Sequence, residues 1–238
     1  VWTRLRERGA ARFPFPLEDR IPNFVGAERA AARAAGLPEW RRARRLKCNP
    51  DAPQAPLRLR ALRDGKIVFM AVPRLRDERC FLRLDPARLG AARLARAATI
   101  RGAGALGEAV APAALGRIDL VVCGSVAVNA HGQRVGKGGG YSDLEFAMAR
   151  ELGLVGPRTP VITTVHELQV IAEPIPMTAH DVPLDVIVTP ERVIRPRRRE
   201  RKPRGIIWAE LTAAQLAAMP PLRRLRAGRA RGERAPSR

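Results

Sequence analysis

Residues 118–129, IDLVVCGSVAVN, are almost wholly apolar and lead within a few positions into RVGKGGGYSDLE at 134–145. An apolar run without alternation is the pattern of a parallel strand covered on both faces. Four glycines then fall within positions 136–140. Glycine loses more backbone freedom on folding than any other residue, so such a cluster implies a sharp bend or a close approach. From Ser142, SDLEFAMARELG reads as a helix closed by Gly153, with Ser142 or Asp143 as N-cap and Glu145 in electrostatic support. A strand, a glycine loop and a helix in succession constrain the chain to a layered α/β fold.

The same order of elements binds anions, because loop amides converge on the ligand and the helix N-terminus adds partial positive charge. Arg134 and Lys137 contribute full charges, the lysine as a mobile one. The stretch is not a P-loop, since Gly138 follows Lys137 where that pattern needs Ser or Thr. Tyr141 stands at the third glycine position of the dinucleotide fingerprint, which excludes that motif too. Two readings stay open: an anion loop for a nucleotide, or a structural turn. Asp143 is equally two-sided. It is either a ligand to a magnesium ion that also meets phosphate oxygens, or a simple helix cap.

Elsewhere the chain alternates between the two element types. GKIVFMAVP (65–73), PVITTVHELQVI (160–171) and VPLDVIVTPERVI (182–194) read as strands. AERAAARAAG (27–36), the segment opened by Pro38 through EWRRARRLK, and DPARLGAARLARAA (85–98) read as helices. Pro14, Pro16 and Pro22 make 13–25 extended. Strands alternating with helices predict a largely parallel sheet.

The chain has 238 residues and a formal charge of +21, of which the segment after residue 191 holds 15 Lys and Arg against 3 Asp and Glu. That segment reads as a separable basic tail: a linker, a short helix WAELTAAQLAAM, then a stretch too polar to order itself. Its charge reflects either a general bias in residue usage or non-specific contact with nucleic acid. Aromatics at 4% and the lack of an RNP-type aromatic signature argue against an RNA-recognition sheet. Cys48, Cys80 and Cys123 have no CxxC spacing and read as reduced thiols, which excludes a zinc knuckle. The apolar runs are around ten residues, too short to span a bilayer. No charged-then-apolar leader opens the sequence, so a soluble, unsecreted protein is expected; the reduced thiols add the expectation of a cytoplasmic location, and a monomer is expected besides.

IDLVVCGSVAVNAHGQRVGKGGGYSDLE resembles the strand, glycine loop and Tyr-Asp helix start of the 5-formyltetrahydrofolate cyclo-ligases, or methenyltetrahydrofolate synthetases. IPMTAHDVPLDVIVTPERVI is similar to the closing His-Asp segment of that family. RFPFPLEDRIPNFVGA and AVPRLRDERCFLRLDP resemble a divergent branch, the methenyltetrahydrofolate synthase domain-containing proteins. The resemblance implies a three-layer α/β/α sandwich with a Rossmann-like, mostly parallel sheet over residues 1–194; composition makes 195–238 the basic, partly disordered tail with one short helix. The resemblance also implies ATP- and magnesium-dependent closure of 5-formyltetrahydrofolate to 5,10-methenyltetrahydrofolate. Carried onto this chain, Arg134, Gly136, Lys137, Gly138, Gly139, Gly140 and Tyr141 hold ATP phosphates, Lys137 and Tyr141 act on the transferred group, and Asp143 and Asp181 hold magnesium. Asp185 is structural, and His180 either orients Asp181 or is a surface loop residue. Arg74 and Arg76 are candidates for the folate glutamate tail by charge alone. Ser142 and Leu144 depart from the family's tyrosine and arginine. Two other classes remain in competition: a silent relative that binds RNA or another polyanion through the tail, and a nucleotide enzyme with another substrate.

Overall fold

Leu46, Leu120 and Ile162 are buried on one side of a common sheet, and Val121, Val161 and Ile187 on the other. Each central strand therefore buries both faces, as its continuous apolar character requires. The computed structural model describes residues 1–72, 75–197 and 200–232. In chain order its strands are β1 (Ala11–Arg12), β2 (Asn23–Phe24), β3 (Arg45–Cys48), β4 (Ile67–Ala71), β5 (Phe81–Leu84), β6 (Glu108–Val110), β7 (Leu120–Cys123), β8 (Ala127–Asn129), β9 (Arg134–Val135), β10 (Val161–Thr164), β11 (Val170–Ile171), β12 (Val186–Val188) and β13 (Val193–Ile194). The helices are α1 (Trp2–Glu7), α2 (Ala27–Ala35), α3 (Pro38–Arg42), α4 (Ala55–Arg63), α5 (Pro86–Leu89), α6 (Leu94–Ala97), α7 (Ile100–Leu106), α8 (Tyr141–Glu151), α9 (Ala213–Ala218) and α10 (Pro220–Gly232).

The main sheet runs β13-β12-β10-β7-β3-β4-β5-β6. Its five inner strands, from β12 to β4, are parallel, and antiparallel partners close both edges. Leu46 pairs with Leu120 and Lys47 with Val121 in the central register. One face is covered by α2, α3 and α4 through Ala34, Trp40, Leu57 and Leu62, and the other by α8 through Phe146 and Met148. The architecture is the expected three-layer sandwich. From β3 the chain steps to β4 on one side, and from β7 it steps to β10 and β12 on the other. The strand order thus reverses between β3 and β7, and open α/β sheets bind ligands at the carboxyl ends of strands at such a reversal.

Four sequence expectations need correcting. The helix expected through residue 47 ends at Arg42, and Arg45–Cys48 is instead a central strand. The apolar run 118–129 is two strands in different sheets, with Gly124 just past the end of the first. A Cβ there would lie 2.7 Å from the Asp51 carboxylate. The helix expected over 85–98 is interrupted at Gly90, whose φ of +73° no helix accommodates. Among the described residues, the tail beyond residue 195 carries regular structure and packs against the core, where the sequence led one to expect little order. Ile206, Met219 and Leu222 are buried in the core beside α8, and α10 occupies much of the stretch expected to lack order. Two clasps fix it. The Lys202 ammonium donates to Asp185 at 2.5 Å, and Ile206 N–H donates to Glu151 at 3.2 Å. Asp185 also accepts from Val161 N–H at 2.8 Å, the structural role expected of it. No helix among the described residues is long and apolar enough to cross a membrane.

Candidate functional site

A cleft of about 420 Å³ opens at the strand-order reversal. Asn49, Pro50 and Asp51 line it from the end of β3, Gly124 from the end of β7, and the glycine loop from the start of α8. The loop glycines now have separate reasons. Gly138 and Gly140 take φ of +89° and +63°, and Gly140 serves as the N-cap of α8 in a left-handed conformation. A Cβ at Gly139 would lie 2.8 Å from the Tyr141 ring, so the ring lies against bare backbone. Neither Ser142 nor Asp143 caps the helix, contrary to that sequence expectation.

Asp143 is instead half of a buried ion pair. Arg134 Nη2 donates to its two carboxylate oxygens at 2.5 and 2.7 Å, and Val182 N–H donates at 3.0 Å. Arg134 Nη1 donates to the Gly124 carbonyl at 3.1 Å, tying β9 to the end of β7. Burial alone would lower the Arg134 pKa, but the neighbouring groups, Asp143 foremost, together outweigh it and the net direction is upward. Asp181 precedes Val182 and so lies beside this pair, yet its own carboxylate accepts from Thr178 N–H and Oγ1 at 2.7 and 2.8 Å. The two aspartates expected to share magnesium are neighbours with separate partners. Among the described residues, no group of three or more His, Cys, Asp or Glu side chains is disposed to hold a metal ion. A cation on Asp143 would also face the Arg134 guanidinium, so the pair does not fit a shared ion.

With Arg134 neutralised, the loop's mobile cation is Lys137. It is half-exposed, and its ammonium lies 3.4 Å from Asp51 across the cleft, a partly solvated contact of small worth. His180 shares a hydrogen bond of 2.9 Å with Glu210, while its distance to Asp181 is 4.0 Å. Arg76 is exposed and does not line the cleft, and Arg74 lies outside the described residues.

Sequence reasoning missed the floor of the cleft. Lys47 on β3 contacts Glu145 on α8 at 2.5 Å and donates to Asn49 Oδ1 at 2.6 Å, with both members of the pair buried. Burial works against the Lys47 ammonium, but its neighbours, Glu145 foremost, together outweigh it and hold the lysine's pKa above its usual value. Asn49 Nδ2 reaches Ser142 Oγ at 3.2 Å, so the serine in the family's tyrosine position joins the floor to the loop. The buried Arg58 donates from Nη1 to the Asn49 and Asp51 carbonyls at 2.6 and 3.0 Å and sets the turn after β3. Burial pushes the Cys48 thiol up to about 11 and the Cys80 thiol to about 12, so neither offers a thiolate.

Fold and cleft together define an α/β sandwich with its crevice at the strand-order reversal. The chain belongs to the 5-formyltetrahydrofolate cyclo-ligase family, whose model matches residues 5–190. It is 41% identical over 229 residues to the methenyltetrahydrofolate synthase domain-containing protein of Bos taurus, covering 95% of this chain and 60% of that protein. The Homo sapiens protein of the same name is 37% identical over 230 residues, again with 95% and 60% covered. The 5-formyltetrahydrofolate cyclo-ligase of Escherichia coli (strain K12) is 32% identical over 79 residues, which are 33% of this chain and 40% of that one. The chain thus spans about 60% of the length of the first two relatives. An NMR structure of Aquifex aeolicus 5,10-methenyltetrahydrofolate synthetase superposes with a TM-score of 0.49 and 23% identity, over 72% of this chain and 81% of that one.

Proposed function

We propose that this chain closes 5-formyltetrahydrofolate to 5,10-methenyltetrahydrofolate at the expense of ATP, releasing ADP and phosphate. The observation that carries the reading is the glycine loop at the strand-order reversal, inside the segment that matches the family. A formamide is a poor electrophile. Its oxygen attacks the γ-phosphorus and ADP departs, leaving an iminium phosphate. N10 then attacks the activated carbon and gives up its proton to the departing phosphate or to solvent, phosphate leaves with the former formyl oxygen, and the ring is closed. Such chemistry needs positioned phosphates and neutralised charge more than a protein nucleophile.

In this reading the amides of Gly138, Gly139 and Gly140 and the α8 N-terminus cradle the phosphates, and Lys137 leaves Asp51 to meet the γ-phosphate. Tyr141 borders the transferred group. Arg134 acts through Asp143 to hold the loop's exit. Magnesium is assigned no step, because its two expected carboxylates have separate partners. Within α10, Arg224 pairs with Glu78 and Arg229 with Glu151.

The test is turnover of 5-formyltetrahydrofolate with ATP, followed by the near-ultraviolet absorbance of the methenyl product. Lys137→Met is expected to lower kcat by roughly 10²–10³, the loss of one preorganised charge on the transferring group. ATP binding, measured by calorimetry, should weaken far less. A near-normal kcat with only a raised KM would mean that Lys137 holds ground and transition states alike.

A further inference from the structure

The sheet has a second concave end. A groove of about 840 Å³ lies at the amino ends of β3, β7 and β10, opposite the cleft, where Ala43, Asp119 and Pro160 precede the three strands. Arg42, Arg117 and Arg158 line it, and all three are exposed. Among the described residues, no side-chain hydrogen bond or ion pair holds any of them. The two acids of the groove already have partners. Glu39 receives Arg195 at 2.7 and 3.1 Å, and Asp119 accepts the Arg44 and Arg45 backbone N–H groups at 2.9 and 3.0 Å. The basic segment after β13 begins and ends at the same groove: Arg195 is fixed on Glu39, and the Lys202 ammonium donates to the Thr159 carbonyl at 2.7 Å. Between those anchors Arg197 and Arg201 are exposed too. A concavity lined by one sign of charge concentrates its field and draws in counter-ions.

We propose that this groove binds a linear chain of phosphates that carries no bases, inorganic polyphosphate. A guanidinium presents a planar fork that matches phosphate oxygens two at a time. Three such forks along one groove suit a ligand with repeated phosphates rather than a single small anion. Nucleic acid offers the same charge, but its single strands are held by stacking on aromatic side chains, and no aromatic residue lines the groove. A duplex is a stiff, convex rod and would meet only the rim. The groove stands at the far end of the strands from the glycine loop, so the inference does not depend on the chemistry of the cleft. It also gives the charge of the segment after residue 194 a place to act.

The experiment titrates long-chain inorganic polyphosphate into the full chain by calorimetry at several salt concentrations. With Arg42→Gln, Arg117→Gln and Arg158→Gln together, affinity should fall about tenfold or more, and the slope of log affinity against log salt by roughly 2, as three phosphate contacts are lost. Arg4→Gln, Arg8→Gln and Arg12→Gln together remove the same charge from exposed positions outside the groove, and this variant should bind nearly as the unaltered chain does. The urea midpoint checks that both variants are folded. If the groove variant does not fold, Arg158→Gln alone should still weaken binding several-fold. No binding by the unaltered chain, unchanged affinity in the groove variant, or an equal loss in the other variant would overturn the proposal. Single-stranded RNA, duplex RNA or polyaspartate that displaces polyphosphate at equal or lower concentration would give the groove to nucleic acid or to an acidic peptide, and would overturn it as well.

Discussion

Asp143→Asn is expected to lower the stability of the folded chain by about 3–5 kcal/mol, the usual cost of removing one partner from a buried ion pair. The carboxylate receives Arg134 on both oxygens and Val182 N–H on one of them. The amide keeps one acceptor, loses the charge, and places an NH₂ group among donors. The Arg134 side chain, at 4% exposure, has no water with which to replace what it loses. A domain of this kind has ~5–15 kcal/mol in all, so the variant should show a clearly lower urea midpoint. Equilibrium denaturation decides the matter. An unchanged midpoint together with a shifted magnesium dependence of turnover would mean that Asp143 serves a metal after all.

Ending the chain at Ile194 should cost as much or more. It removes Ile206, Met219 and Leu222 from the core, and a fully buried aliphatic side chain contributes roughly 1.5–3 kcal/mol. Three of them approach the whole stability of a domain. The truncation also leaves Asp185 without Lys202 and Glu39 without Arg195. The expected outcome is a fragment with no cooperative transition in urea and with exposed apolar surface that binds a hydrophobic dye. A truncated chain with the midpoint of the full one would show the tail to be a separable appendage.

Strands β4, β7, β10 and β12 were legible because apolar runs bounded by Gly or Pro leave few alternatives. β3 was not, since RRLK looks like the exposed face of a helix. Lys47 sits mid-sheet only because Glu145, far along the chain, supplies its counter-charge. The tail misled for the same reason. Its apolar residues are sparse among arginines, and only docking beside α8 reveals which of them count. At the site, the glycine loop and Lys137 were visible as a local pattern. The partner of Asp143 was not, because the pairing with Arg134 depends on how strand β9 and helix α8 meet. Asn49, Asp51 and Glu145 carry no motif and join the cleft only through the strand-order reversal.

The most direct test of the proposed chemistry follows one oxygen atom. With ¹⁸O in the formyl group of 5-formyltetrahydrofolate, turnover in the presence of ATP should deliver the label to inorganic phosphate, one labelled phosphate for each methenyl product and each ADP. Product formed without label in phosphate, or without matching ADP, would contradict phosphoryl transfer to the formyl oxygen. Absence of any methenyl product from folded chain that binds both ATP and 5-formyltetrahydrofolate would contradict the proposed activity itself.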